Sequence, residues 1–222
     1  MQQGTVDFLR YLAQVPNEDG GEQAKLPSLQ DMSADLDVSV SKLREHLEVA
    51  RALDLVDVRP RLGIRRLPYS FAPAVRLSLV YAIHLDREYF EHYADLRNQL
   101  EQAYWSRAVS LLEPEDHAYL QTLVNRAWEK LNGTPVRIPH EEHRELHMAI
   151  YRKLENPFVL GLLEAFWDAY ESFGLNLYAD YDYLRQVWRY HQEMVDAIRQ
   201  GDFGKGLQAL IEHKDLLHHR PA

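Results

Sequence analysis

The chain of 222 residues contains no cysteine. Disulfides, thiolate metal sites and cysteine nucleophiles are therefore excluded, and any metal must rest on histidine or carboxylate. Long apolar runs are missing too: no stretch approaches the roughly 18 uninterrupted apolar residues of a membrane span. The start, Met1-Gln2-Gln3-Gly4-Thr5, has no basic segment leading into an apolar one. The expectation is a cytoplasmic protein that neither crosses a membrane nor is exported. Glycine-rich phosphate loops, a nucleophile elbow and internal repeats are also absent from the sequence. Positive charge is scarce, with 25 Lys and Arg against 34 Asp and Glu, and the formal net charge is -9. Taken alone, that balance opposes a polyanionic partner, because phosphate binding depends on accumulated cations.

The distribution of charge reverses that inference for one segment. Residues 24–67 hold eight bases and seven acids, while both flanks are net acidic. The one dense basic cluster, Arg59, Arg61, Arg65 and Arg66, has no acid within it and lies in the same segment.

Hydrophobic periodicity supplies the organisation. Val6, Leu9, Leu12 and Ala13 share one face of a short helix from Thr5 to Val15, and a polar loop runs from Pro16 to Lys25. Ser28, followed three residues on by Asp31, is placed to cap a helix over 29–36. A third helix opens at Ser39 or Ser41 and carries Leu43, Leu47 and Ala50 at helical spacing. The alternation Leu55-Val56-Asp57-Val58-Arg59, a turn at 60–63 and a return over 64–67 read as a β-hairpin. Helix, helix, turn, helix, hairpin is the order of a winged helix-turn-helix, assigned to residues 1–67. Residues 68–74, with Pro68 and Pro73, read as a linker. From 75 to 222 the pattern is helical throughout, with breaks at Glu113-Pro114, Gly133-Thr134-Pro135, Asn156-Pro157 and Gly201-Asp202. The fold class is mainly α: a winged helix-turn-helix followed by an antiparallel α-helical bundle that serves as effector domain.

In such a head, the first turns of the third helix enter the major groove and a basic hairpin holds phosphates. Ser39, Ser41, Lys42 and Arg44 are the candidate groove residues. Arg44 has the planar fork that binds guanine in two places. Arg59, Arg61, Arg65 and Arg66 suit the wing. The residues Leu26-Pro27-Ser28, Val38-Ser39, Leu43-Arg44-Glu45 and Leu55-Val56-Asp57-Val58-Arg59-Pro60 with Gly63 resemble the winged helix-turn-helix of the GntR family of bacterial regulators. That family often has Glu-Arg where this chain has Leu29-Gln30, and a basic residue where it has Val40. The resemblance implies a dimer on double-stranded operator DNA.

Eleven histidines are many for this length. His143 and His147, four apart on a helix, project from one face at a spacing that lets two imidazoles share a metal. His191 and His213 lie on later helices that a bundle can bring to the same point. Leu146-His147-Met148-Ala149-Ile150, Asn156-Pro157, the run from His191 through Asp196-Ala197-Ile198 and Gly201-Asp202 to His213, and Arg97 with Leu100-Glu101 resemble the helical effector domain of the FadR subfamily of GntR regulators. The resemblance implies a divalent metal on one aspartate and three histidines, the latter matching His147, His191 and His213. His143 stands at the aspartate position, and is either a fourth imidazole ligand or leaves a three-histidine site. Neutral imidazoles leave the metal's charge uncompensated, which favours an anionic effector and favours zinc or nickel over manganese. The resemblance further implies a small organic acid as effector, with Arg97 its partner; an ion pair of Arg97 with Glu101, four residues on, is the alternative. A repressor is the expected regulator. The rival class is a metal-dependent, hydrolase-like enzyme using the same histidines.

Overall fold

The computed structural model describes residues 3–16, 24–173 and 181–215. The chain separates into two compact units, Met1–Leu77 and Ser78–Ala222.

In the first unit, α1 (Gln3–Gln14), α2 (Leu29–Leu36) and α3 (Val40–Ala52) are followed by β1 (Val56–Arg59) and β2 (Gly63–Arg66). The α2 start is fixed by a reciprocal cap: Ser28 Oγ accepts from the Asp31 amide, and the Asp31 carboxylate accepts from the Ser28 amide, each at 3.2 Å. Ser39, not Ser41, caps α3, its Oγ accepting from the Lys42 amide. Asp37 ends α2 in the left-handed region at φ 52°, a conformation that Asp tolerates better than most residues. The strands pair antiparallel, Val56 opposite Arg66 and Val58 opposite Ile64, and the turn between them closes on Gly63 at φ +85°. Residues 24–26 also flank β2, through bonds from the Leu26 amide to the Ile64 carbonyl and from the Arg66 amide to the Ala24 carbonyl. That short pairing lies at the end of the segment read from sequence as loop. Phe8, Leu12, Met32, Leu43, Leu47, Val56 and Ile64 form the core of the unit. His46 is buried in it as well, 3.1 Å from Thr5 Oγ1 and stacked on Phe8, so α1 seats directly on α3.

The next helix, α4 (Ala72–Leu85), starts inside the segment read as linker, with Ser70 Oγ accepting from the Ala72 amide. Pro73 therefore lies in the first turn of a helix instead of in the linker; a first-turn amide has no partner to lose. The helices α5 (Glu88–Val109), α6 (Pro114–Leu131), α7 (His140–Tyr151), α8 (Pro157–Ser172), α9 (Tyr181–Gln200) and α10 (Phe203–Asp215) follow, with one 3-10 turn at Arg152–Leu154. Pro157 occupies the first position of α8, and Asn156 caps it by accepting from the Phe158 and Val159 amides. Helices α9 and α10 form a tight hairpin: Gly201 at φ 72° reverses the chain, and the Asp202 amide closes back on the Ala197 carbonyl. Helix α10 approaches α5 closely at Gly206, where a Cβ would stand 2.7 Å from the Trp105 ring; the Trp105 indole donates to the Phe203 carbonyl. Trp105, Leu120, Leu146, Leu163, Trp188 and Met194 lie in the shared core. The parts of the expected helical pattern that fall on 174–180 and 216–222, and the loop residues 17–23, lie outside the described residues. Among the described residues, no helix is long and apolar enough to cross a membrane.

Candidate metal centre

Three helices of the second unit converge on one point. Helix α7 supplies His143 and His147 from one face, α9 supplies His191 and α10 supplies His213. One ring nitrogen from each lies within 4.8 Å of all the others. His147 Nε2 and His191 Nε2 face each other at 3.1 Å. Two nitrogens about 2.1 Å from a shared ion stand about 3.0–3.4 Å apart in octahedral or tetrahedral geometry, so this pair is already at ligand spacing. The other pairs, up to 4.8 Å apart, must close by as much as about an ångström to fit such a shell. His147, His191 and His213 are buried, and His143 is partly exposed.

The electrostatics suit a cation. Burial pushes all four imidazoles well below their ordinary range, and the neighbouring histidines and Arg97 add to the shift. All four rings are thus neutral near pH 7, with a lone pair each. Buried ring nitrogens without a hydrogen-bond partner remain on three of them: His143 Nε2, His191 Nδ1 and His213 Nε2. Buried polar atoms are ordinarily paired, and leaving one orphaned is costly. The orphaned nitrogens of His143 and His213, with the facing Nε2 atoms of His147 and His191, fit a ligand set for a divalent metal.

Behind the histidines, α5 presents Arg97 and Glu101 on one face. Both are buried, with Arg97 Nε 3.1 Å from Glu101 Oε2. The contact is off the hydrogen-bonding direction, since Arg97 Nε finds no aligned acceptor. Arg97 Nη1 donates to Asn98 Oδ1, and the guanidinium lies over the Phe166 and Trp167 rings at 4.7 and 5.2 Å. His147 Nδ1 is 2.9 Å from Glu101 Oε1 and 3.0 Å from Arg97 Nη2. Burial raises the Glu101 carboxyl above its ordinary range, with Arg97 and His213 pulling it down. A narrow crevice of about 20 Å³, lined by His140, Tyr170, Tyr183 and Trp188 among others, reaches His143. It holds about one water molecule.

All four predicted histidines are therefore brought together, and Arg97 stands beside them, engaged with Glu101. Glu142 and Glu145 turn away as their helix positions imply: Glu142 pairs with Lys130 and Glu145 with Arg152. The contact of Glu101 with His147 and the packing of Trp167 on the cluster escape a reading of the sequence, because each joins helices far apart in the chain. Only the spacing of Arg97 and Glu101 signals either.

In the first unit the predicted DNA-facing residues line the outside. Ser41 and Arg44 are exposed on α3, and Lys42 pairs with Glu45. Arg59 pairs with Asp57 at 2.6 Å. Arg61 is exposed in the turn at φ 66°, and Arg65 is half-buried on β2 opposite Asp57. Arg44, Arg61 and Arg65 have no ion pair among the described residues. Arg66 departs from its expected place in the wing: its guanidinium donates to the Leu12, Ala13 and Val15 carbonyls at 3.0 Å each, closing the C-terminal end of α1.

Residues 92–216 match the FCD domain. The chain belongs to the FCD family. A curated relative, an uncharacterized HTH-type transcriptional regulator YieP of Escherichia coli, is 26% identical over 200 residues, 86% of this chain and 84% of its own. Among solved structures, Streptococcus agalactiae GntR superposes with a TM-score of 0.66 at 19% identity, over 98% of each chain. E. coli McbR/YncC superposes at 0.51, also at 19% identity, over 97% of this chain and 95% of that one. The curated relative is titled a transcriptional regulator, and the two solved structures share the fold of this chain.

Proposed function

We propose that this FCD protein is a repressor of the FadR subfamily, a homodimer in the cytoplasm that binds double-stranded operator DNA and releases it in response to a small organic acid. The observation that carries the sensing half is the cluster of four neutral imidazoles with orphaned ring nitrogens. His147, His191 and His213 would hold a zinc or nickel ion, with His143 as fourth ligand in place of a carboxylate. When bound, the ion supplies a Lewis-acidic anchor for a carboxylate oxygen. Arg97 is then the cationic side chain beside that acid. Trp167 and Phe166 cover the guanidinium and exclude water, which strengthens its pull on an anion. The effector acts by binding one arrangement of the sensor better than another.

The head, residues 1–67, offers Ser39, Ser41, Lys42 and Arg44 to the groove and Arg59, Arg61 and Arg65 to the backbone. Residues 68–71 lead from it into α4, and the later helices form the sensor. A dimer is supported by the apolar side chains that α4 and α5 leave exposed in the second unit, Tyr81, Leu85, Tyr89 and Leu96. The test pairs metal analysis with DNA retention. Purified protein is expected to hold about one zinc or nickel per chain and the His147→Ala/His191→Ala variant none. Equal metal content in the two would defeat the site. Both proteins are expected to bind promoter DNA with strong salt dependence, and salt-independent retention would defeat the operator reading.

A further inference from the structure

We propose that Glu101 is the positioning residue of the metal centre: it accepts the Nδ1 proton of His147, and so aims the lone pair of His147 Nε2 at the ion. The inference rests on the metal reading above and assigns a role to a residue outside the four ligands.

The argument turns on one nitrogen. His147 Nδ1 lies 2.9 Å from Glu101 Oε1, which as a carboxylate only accepts, and 3.0 Å from Arg97 Nη2, which only donates. A neutral ring nitrogen either carries a proton or a lone pair, so the two contacts exclude each other as hydrogen bonds. His147 Nε2 faces His191 Nε2 at 3.1 Å, at ligand spacing. A ligand nitrogen must present its lone pair, which puts the His147 proton on Nδ1 and selects Glu101 as its acceptor.

Two consequences are particular to this chain. With His143 at the fourth position, the ligand set carries no negative charge, and Glu101 places one directly behind His147. Glu101 also decides the state of Arg97. Once Nδ1 carries the proton, Arg97 Nη2 faces an N–H and loses its acceptor, while Arg97 Nε and the Trp167 indole N–H are already without aligned acceptors. Filling the centre through Glu101 thus takes one more acceptor from Arg97 and deepens its need for an anion, so cation and acid reinforce each other.

The experiment titrates the metal-stripped full chain with zinc against a chromophoric chelator, for wild type, Glu101→Gln and Glu142→Gln. Glu142 is a control carboxylate, buried and paired with Lys130 on the far side of α7. Loss of the carboxylate at Glu101 is expected to weaken zinc about 10–100-fold, the usual cost of losing a partner behind a ligand, and neutralising Glu142 to leave affinity within about threefold by the same comparison. Nitrogen-15 spectra of the zinc-loaded protein read the positioning itself: the His147 Nδ1–H signal is strongly hydrogen-bonded in wild type and shifts in Glu101→Gln. If Glu101→Gln fails to fold because Arg97 is stranded, the Arg97→Gln/Glu101→Gln pair leaves no buried charge and is expected to show the same loss and the same shift. Folded variants that bind zinc as tightly as wild type, with an unmoved Nδ1–H signal, overturn the role of Glu101 and leave the metal site standing. A wild-type protein that binds no zinc overturns both.

Discussion

The two units use arginine in opposite ways. In the first, Arg44 and Arg61 stand in solvent without an ion pair among the described residues. In the second, Arg97 is 3% exposed, between Glu101, Asn98, His147 and two aromatic faces. An exposed charge costs the fold little and acts through a field that salt screens. A buried one is unscreened and must be satisfied by geometry, so its removal leaves partners stranded. Substitutions in the first class should therefore change binding without changing stability, and those in the second should change both.

The largest effect that can break this contrast is metal-linked stability. Saturation at about 1,000 times Kd adds about 4 kcal/mol to a folded state that alone binds the ion. For a chain of this size that corresponds to a rise in Tm of about 10 °C. Calorimetry of wild type should show that rise with zinc and its loss with chelator, and His147→Ala/His191→Ala should show neither. A wild-type Tm indifferent to zinc would remove the buried half of the contrast.

Next in size is the acid sensitivity of the metal-free protein. His147, His191 and His213 are held below the ordinary histidine value, mainly by burial. The unfolded chain therefore takes up protons first, as pH drops through about 6.5. Stability is complete above that pH and falls below it, by up to about 1.4 kcal/mol per pH unit for each ring that stays neutral in the fold. Denaturant melts at pH 7.5, 6.5 and 5.5 test the sign; stability that rises on acidification would contradict neutral burial.

A purely steric change should be smaller. Gly206→Ala puts a methyl group 2.7 Å from the Trp105 ring, against a rigid indole that also holds the Phe203 carbonyl. Overpacking of this kind costs about 1–3 kcal/mol. A variant as stable as wild type would mean that α10 can slide on α5, and His213 with it.

Arg44 and Arg66 carry the contrast into the first unit. Arg44→Ala should weaken specific operator binding by about 1–3 kcal/mol in gel shift, with Tm unchanged. Arg66→Ala should do the reverse: three carbonyls at the end of α1 lose a charged donor, at a cost of about 1–3 kcal/mol in stability. Equal Tm losses in the two variants would erase the distinction between a reading arginine and a capping one.

That pair also marks the limit of what the sequence discloses. Caps, turns and periodicity are local, so Ser28 with Asp31, Asn156-Pro157 and the hairpin at Gly63 are legible from neighbours along the chain. The winged first unit and the helical second unit follow from their order. The four histidines are legible because His143 and His147 share a helix face, and the resemblance supplies the other two. Arg66 and Arg65 look alike in the sequence; only the return of α1, more than fifty residues away, gives Arg66 three carbonyls. Glu101 with His147 is the same case in the second unit, two helices apart. Long-range polar pairs leave no periodic trace, and these are the contacts that set the chemistry.

The smallest effect is also the most diagnostic for the exposed class. Arg61 stands at the tip of the hairpin with its side chain in solvent, at φ 66°. If it meets a phosphate, Arg61→Ala releases one fewer counterion, so the slope of log affinity against log salt should shrink by about 1. The loss should be nearly the same on operator and on unrelated DNA, because a phosphate contact carries no sequence information. Arg44→Ala, by contrast, should penalise the operator alone. An Arg61→Ala protein with an unchanged slope would place the hairpin away from the backbone and leave α3 as the main contact of the head.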